Sequence, residues 1–254
     1  MTEKHDDARI IEFFHLAFLQ VLPLRLDQAR YVVKGGVNLR YFFESLRYSQ
    51  DVDLDAVAIE SWALGSKVDE VLASPAISLL LRSRGIVVEQ VSKPKQTETT
   101  QRWKVLIAVT GRRVPVRTKI EFSHPSADPR RILEAVPDRV VDPYGLRPPT
   151  MFHYTAGAAL EQKVRALVGR SQTQARDVFD LELLLRTHRD DISVELMDEG
   201  ILEVAVERIF ELPVDAFRDQ VLPFLEPDIA ALYDDPAAWE QMRRSVAQRL
   251  TEIG

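Results

Sequence analysis

Hydrophobic residues between positions 6 and 30 recur at spacings of three and four. They are Ile10, Phe13, Phe14, Ala17, Phe18 and Val21. This stripe is typical of an amphipathic helix and predicts a helix over 6–30 that packs on a sheet. The same spacing predicts a second helix over 66–84, which Pro75 bends or divides and Gly85 ends.

Runs of β-branched and alternating residues predict strands over 86–91, 102–110 and 114–122. Gly111-Arg-Arg113 lies between the last two runs and predicts a hairpin turn. Residues 92–101 are polar and rich in Lys, Thr and Gln, so we expect a mobile loop or hairpin tip there.

Proline, aspartate and arginine are dense between residues 123 and 150, which predicts a domain boundary. The later pattern is helical, with predicted helices over 156–168, from about 174, and over 194–209, 216–225 and 237–253. We therefore predict an α/β (α+β) fold. Its N-terminal mixed-sheet domain would span 1–148, and a mainly helical domain would span 149–254, with a site in the cleft between them.

Residues 31–55 combine two features that carry chemistry. Tyr31, Val32 and Val33 predict a short strand, and Gly35-Gly36 breaks the chain before a short buried helix. The strand-like run Asp51-Val-Asp-Leu-Asp55 then alternates in period two, which places Asp51, Asp53 and Asp55 on one face.

Clustered carboxylates repel one another unless a positive group lies between them. Mg²⁺ suits such a place, because it binds a few carboxylates together with phosphate oxygens and water. At a glycine turn before a helix, backbone N–H groups approach a phosphate closely and the helix dipole favours the anion. Either motif alone is common on ordinary surfaces, but their order here indicates a nucleotide and metal site.

Composition narrows the class of protein. The formal net charge of −6 argues mildly against a general nucleic-acid binder. There is no cysteine, which excludes disulfides, zinc–thiolate sites and a cysteine nucleophile and fits a cytoplasmic protein. Acidic residues in the first twenty positions do not fit a signal peptide, and we expect no membrane span.

Glu121 lies near the end of the predicted strand 114–122, with Lys119 and Arg117 on the same side by alternation. It is either a third carboxylate beside Asp51 and Asp53 or part of a solvated charged face. If Glu121 faces the metal, Lys119 would neutralise part of the site.

The helical half carries charges in an apolar context. Lys163 and Arg170 are seven residues apart, and Arg176, Asp177 and Asp180 follow on the next predicted helix. Arg176 and Asp180 are at i, i+4 and are expected to pair. The group forms either a half-buried salt-bridge network or part of the functional site.

Two stretches resemble a known family. The order Gly-Gly, helix, Arg47-Tyr-Ser-Gln-Asp-Val-Asp53 resembles the nucleotidyltransferase superfamily. Together with Lys34-Gly-Gly, Lys163 and Arg176-Asp177-x-x-Asp180, it resembles AbiEii-type toxins of bacterial toxin–antitoxin systems, the group that includes the MenT toxins.

The resemblance implies roles for these residues. The metal ligands for Mg²⁺ or Mn²⁺ would be Asp51, Asp53 and Glu121. The nucleotide-binding residues would be Gly35, Gly36, Arg47, Ser49 and Lys163. The catalytic set would be Asp51, Asp53, Lys163, Asp177 and Asp180, with either Asp177 or Asp180 orienting Lys163 or contacting the nucleotide.

The resemblance further implies transfer of a nucleoside monophosphate from an NTP to RNA, at the 3′ end of tRNA, which blocks translation. A separately encoded antitoxin is the expected partner. Candidate RNA contacts are Arg112, Arg113, Arg130, Arg131, Arg165 and Arg170. The rival interpretations are a small-molecule or protein acceptor, a non-catalytic regulator that binds NTP and metal, and an interaction module with an acidic surface.

Overall fold

The computed structural model describes residues 2–188 and 199–253. The chain divides into two compact units. We call Asp6–Phe42 with Tyr48–Tyr154 the sheet unit, and Met1–His5, Phe43–Arg47 and Thr155–Gly254 the helical unit.

The sheet unit contains one mixed sheet of seven strands among the described residues. The strands are Tyr31–Lys34 (β1), Asp51–Ala56 (β2), Ile86–Gln96 (β3), Thr100–Val109 (β4), Val116–Ser123 (β5), Arg131–Ala135 (β6) and Thr150–Tyr154 (β7). Their order is β3-β4-β5-β2-β1-β7-β6. β2 runs parallel to β5 and antiparallel to β1, and β1 runs parallel to β7.

Helices cover hydrophobic side chains of this sheet. They are Thr2–Val21 (α1), Gly35–Phe42 (α2), Ser61–Leu72 (α3), Pro75–Arg82 (α4) and Asp138–Val141 (α5). Phe14 and Phe18 of α1 are fully buried and share one core with Val52, Leu54 and Ile120 of the two central strands. The helix predicted over 6–30 ends at Val21, because Pro23 interrupts it and the chain continues as a 3₁₀ turn over Leu22–Leu24.

The helical unit is built from helices that bury aromatic residues. They are Ala156–Gly169 (α6), Ala175–Thr187 (α7), Glu199–Phe210 (α8), Val214–Gln220 (α9), Pro227–Tyr233 (α10) and Pro236–Ile253 (α11). Phe217 and Trp239 stack with their ring centroids 4.6 Å apart. Of the helix predicted over 194–209, residues 194–198 lie outside the described residues.

The proline-rich segment before residue 150 is the main difference from the predicted fold. It contains β6, and β7 follows it and pairs with β1, so the sheet unit extends to Tyr154. Long-range pairing, which a density of prolines does not reveal, decides this. The domains predicted over 1–148 and 149–254 stay a prediction, as does the folding of each unit by itself.

Two smaller differences concern lengths. Residues 92–101 are mostly paired, because β3 and β4 extend through this segment and leave a short turn. Pro75 divides the helix predicted over 66–84 into α3 and α4, with Ser74 capping the second through its hydroxyl group. No helix in the described ranges has the length and apolar character that a membrane span requires.

Candidate active site

The turn between β1 and α2 lies directly against a carboxylate of β2. Gly35 has a φ of +65°, a left-handed conformation that side chains disfavour. A Cβ on Gly35 would lie 2.9 Å from Asp53 Oδ2. Glycine is therefore required here both by the backbone angle and by the close approach of the Asp53 carboxylate.

Asp51 and Asp53 are half-buried, whereas Val52 and Leu54 between and beyond them are fully buried. The alternation predicted from sequence is therefore present. Strand register sets Lys119 beside Asp51 and Glu121 beside Asp53. Glu121, the third carboxylate considered in the sequence analysis, thus lies beside the carboxylates of β2.

Cations on β4 and β5 bind this carboxylate row. Lys119 Nζ lies 3.2 Å from Asp51 Oδ2 and 3.6 Å from Glu121 Oε2, and Arg102 Nε lies 2.5 Å from Glu121 Oε2. Burial would lower the pKa of Lys119, but the nearby carboxylates, led by Asp53, raise it above its ordinary value. Burial would raise the pKa of Glu121, but the hydrogen bond from Arg102 and the charge of Lys119 hold it below its ordinary value.

Asp55 differs from the other two aspartates of β2 because its side chain is buried. Lys34 Nζ lies 2.6 Å from Asp55 Oδ1, and the Tyr154 hydroxyl donates to Asp55 Oδ2. Both carboxylate oxygens are thus bonded within the sheet unit, so Asp55 ties β1, β2 and β7 together.

The remaining groups of this stretch also have defined partners. The Ser49 hydroxyl donates to the backbone carbonyl of Asp51 at 2.8 Å and fixes the start of β2. Gly36 lies in the first turn of α2. The predicted nucleotide-binding roles of Gly35, Gly36 and Ser49 stay predictions.

The donor set fits a divalent cation that arrives with a nucleotide. Within residues 2–188 and 199–253, no three carboxylate, imidazole or thiol side chains form a group that could hold a metal ion. Mg²⁺ in nucleotide sites commonly takes one or two carboxylates and completes its shell with phosphates and water. Asp51 and Asp53 supply such a pair, and the Asp53 carboxylate lies against the turn at Gly35. The role of Glu121 as a third ligand stays a prediction.

A second charged cluster lies in the helical unit, and its acidic members are fully buried. Asp180 Oδ2 lies 2.6 Å from Lys163 Nζ and 2.9 Å from Arg47 Nη2. Asp177 lies 3.1 Å from both Lys163 Nζ and Arg170 Nε, through different oxygens. The two aspartates therefore both hold Lys163, and each has a second cation of its own.

The electrostatics of this cluster follow from burial. Desolvation would raise the pKa of Asp180, but the charges of Arg47 and Lys163 outweigh it and lower the pKa below its ordinary value. The predicted i, i+4 pair with Arg176 is not what satisfies Asp180, because Arg47 and Lys163 take its two oxygens. The predicted roles of Arg47, Lys163, Asp177 and Asp180 at a nucleotide stay predictions.

Sequence reasoning missed three partners of the carboxylates, namely Lys34, Arg102 and Tyr154. Arg102 had only a partial signal: counting outward from the predicted turn at 111–113 brings Trp103 opposite Glu121, whereas the observed register is shifted by one residue and pairs Glu121 with Arg102. Tyr154 had none, because the strand that carries it was not predicted.

Most arginines predicted to contact RNA have acidic partners within their own unit. The pairs are Arg112 with Asp7, Arg131 with Asp128, Arg165 with Glu161 and Arg170 with Asp177. Their charges are thus partly offset, and their contact with RNA stays a prediction.

Two solved structures resemble the whole chain. JHP933 from Helicobacter pylori has a TM-score of 0.60 and 19% identity, over 96% of this chain and 94% of that one. A protein described as a candidate nucleotidyltransferase from H. pylori has a TM-score of 0.59 and 19% identity, over 97% and 98%. At this identity the likeness shows the fold. No curated protein matches the sequence.

The sequence model of one protein family, described as "Nucleotidyl transferase AbiEii toxin, Type IV TA system", matches residues 17–252. The match includes the Gly35 turn, the β2 aspartates and the buried cluster of α6 and α7. The chain therefore belongs to the AbiEii family of nucleotidyltransferase toxins of type IV toxin–antitoxin systems.

Proposed function

We propose that this toxin transfers a nucleoside monophosphate from an NTP to a hydroxyl of RNA, at the 3′ end of tRNA, in a metal-dependent reaction. The observation that carries the proposal is the approach of Gly35 to the Asp53 carboxylate, which joins a glycine turn at a helix start to an aspartate pair. Membership of a nucleotidyltransferase family supports the class of reaction.

In this proposal the donor binds at the end of β1. Backbone N–H groups of Gly35 and Gly36 would bind the triphosphate, helped by the dipole of α2. Asp51 and Asp53 would hold Mg²⁺ or Mn²⁺. When bound, such an ion offsets charge on the triphosphate and lowers the pKa of the attacking hydroxyl.

The chemistry is a single substitution at phosphorus. The acceptor oxygen forms a bond to the α-phosphorus, the bond from that phosphorus to the bridging oxygen of the β-phosphate breaks, and pyrophosphate leaves. The hydroxyl proton passes to solvent. Lys119, which lies 3.2 Å from Asp51, would limit repulsion between the carboxylates before the nucleotide binds.

The biological outcome follows from the acceptor. A tRNA whose 3′ end carries an added nucleotide cannot be aminoacylated there, so translation would stop. A separately encoded antitoxin, which membership of a type IV system implies, would counter this effect.

The test is transfer of label from each α-³²P NTP, with Mg²⁺, into unfractionated tRNA. We expect label with the wild type and a loss on the order of 100-fold or more with Asp53→Asn, which keeps the size of the side chain and removes its charge. Asp128→Asn is the matched control, because its side chain is 71% exposed. Equal labelling by wild type and Asp53→Asn would contradict the proposal, as would label only in small molecules or protein.

A further inference from the structure

A cavity of about 460 Å³ opens beside Asp51 in the sheet unit. Three cationic side chains, Lys104, Arg117 and Lys119, line it together with Asp51. The polar residues Gln50, Gln90, Ser92 and Thr118 also border the cavity. It is therefore a basic, hydrogen-bonding pocket with a carboxylate of the proposed active site at one end.

Strand register explains how this pocket forms. Ser92 of β3 pairs with Lys104 of β4, Lys104 with Lys119 of β5, and Lys119 with Asp51 of β2. Paired residues lie on the same face of a sheet. The row therefore runs across three strand spacings, about 14 Å, and ends at Asp51.

Two of the cations carry charge that no residue within 2–188 and 199–253 neutralises. Lys104 and Arg117 are exposed, and no residue in the described ranges forms an ion pair or hydrogen bond with either side chain. Lys119, by contrast, is bonded to Asp51. A chain with a net charge of −6 thus presents uncompensated positive charge beside its candidate active site.

The order of the strands places this pocket away from the Gly35 turn, where the NTP is proposed to bind. β1, which ends at Lys34 just before Gly35, and β5, which carries Arg117 and Lys119, lie on opposite sides of β2. In a substitution at phosphorus, the attacking oxygen and the leaving pyrophosphate lie roughly in line on opposite sides of the α-phosphate. A triphosphate on the β1 side of Asp51 and Asp53 therefore leaves the β5 side to the acceptor.

We propose that the pocket formed by β3, β4 and β5 binds backbone phosphates of the acceptor RNA near its 3′ end, with Lys104 and Arg117 as the phosphate contacts. This inference rests on the proposed function and adds the place where the acceptor binds. Neither residue is among the arginines that the sequence singled out for RNA.

The experiment compares Lys104→Gln/Arg117→Gln with Lys67→Gln/Arg82→Gln. The control pair also removes one lysine and one arginine charge from the sheet unit, on α3 and α4. Binding of unfractionated tRNA and of MgATP and MgGTP is measured separately by titration, and thermal melting checks that all proteins are folded.

We expect the pocket variant to bind tRNA at least about tenfold more weakly than the control variant, with unchanged NTP affinity. The salt dependence should also become shallower: the slope of log affinity against log salt should be about 1.4 less negative, since each of the two lost single-strand phosphate contacts contributes about 0.7. In the labelling reaction, KM for tRNA should rise while KM for NTP stays constant.

Unchanged tRNA binding by the pocket variant would overturn the inference, as would a wild type that binds no RNA. Weaker NTP binding with intact tRNA binding would also overturn it and assign the pocket to the triphosphate. If the pocket variant loses tRNA binding but wild type transfers no label, the inference stands and the proposed function fails. If wild type labels tRNA and the pocket variant labels it equally well, the proposed function stands and the inference about the pocket fails.

Discussion

A side chain at Gly35 would meet two obstacles, the positive φ angle and the nearby Asp53 carboxylate. Gly111 shares the positive φ angle but has no neighbour of this kind, so it serves as a comparison. Gly35 and Gly111 both have positive φ, +65° and +83°. A Cβ would meet Asp53 Oδ2 at Gly35, whereas nothing lies within 4 Å at Gly111. Backbone strain is thus common to both positions, and the clash with a candidate metal ligand occurs at Gly35.

We therefore predict that Gly35→Ala and Gly111→Ala each lose about 1–2 kcal/mol of unfolding free energy through strain. Gly35→Ala should also lose activity on the order of 100-fold, because the Asp53 carboxylate must move. Denaturant unfolding and the labelling assay measure the two effects. Full activity in Gly35→Ala would show that the position of Asp53 does not matter.

His15 is buried on α1, and its Nε2 lies 2.7 Å from the hydroxyl of Thr118 on β5. That hydroxyl donates to the backbone carbonyl of Gln50, so His15 Nε2–H is the donor. Burial lowers the pKa of His15 from 6.5 to about 3. The imidazole is therefore neutral in the folded protein throughout the physiological range.

This predicts a pH dependence with a defined sign. As pH falls through 6.5 the unfolded chain binds a proton at His15 and the folded chain does not, so stability falls towards pH 3. The slope from this residue approaches about 1.4 kcal/mol per pH unit. Urea unfolding between pH 7.5 and 5.5 should show a smaller slope in His15→Gln, and equal slopes in the two proteins would refute the assignment.

At the scale of elements, the helices α6 and α7 are joined by buried charges. Asp177 and Asp180 are fully buried, and three cations bond to them. Removal of one member of such a cluster leaves an uncompensated buried charge, which usually costs more than the intact cluster contributes. The exposed pair of Arg165 with Glu161 on α6 provides a contrast.

We predict that Asp180→Leu destabilises the protein by about 3–5 kcal/mol, whereas Glu161→Gln costs less than about 0.5 kcal/mol. The double variant Lys163→Met/Asp180→Leu should lose less than the sum of its single changes, since each side chain compensates the other. Chemical denaturation of the four proteins measures this. Additive losses would show that Lys163 and Asp180 do not interact energetically.

At the scale of the whole molecule, the end of the sheet unit is set by strand pairing. β7 lies between β1 and β6 in the sheet, and its Tyr154 hydroxyl binds the buried Asp55. A chain that ends before β7 would expose the edge of β1 and leave β6 unpaired.

Fragments 1–148 and 1–154 test this point. We expect fragment 1–148 to aggregate or to lack a cooperative thermal transition. Fragment 1–154 should keep more strand signal in circular dichroism, because it retains β7. If both behave alike, the boundary predicted at 148/149 is as good a description of the sheet unit as the one after Tyr154.

The local organisation of the site was predictable because it depends on residues close together in sequence. Strand β1, the glycine turn, α2 and the alternation of Asp51 and Asp53 all follow from propensities and periodicities within 31–55. The family also follows from these motifs together with Lys163 and the aspartates of α7. Short-range steric and periodic rules suffice for such features.

The partners of these residues were decided only by the tertiary structure. Arg47 binds Asp180 across 133 positions of sequence, and Asp55 accepts a hydrogen bond from Tyr154 across 99. The row of Ser92, Lys104, Lys119 and Asp51 exists because parallel pairing of β2 with β5 fixes one register. Sequence determined which side chains carry charge; strand register and burial, which depend on distant segments, decided which charges are neutralised and which remain available to a substrate.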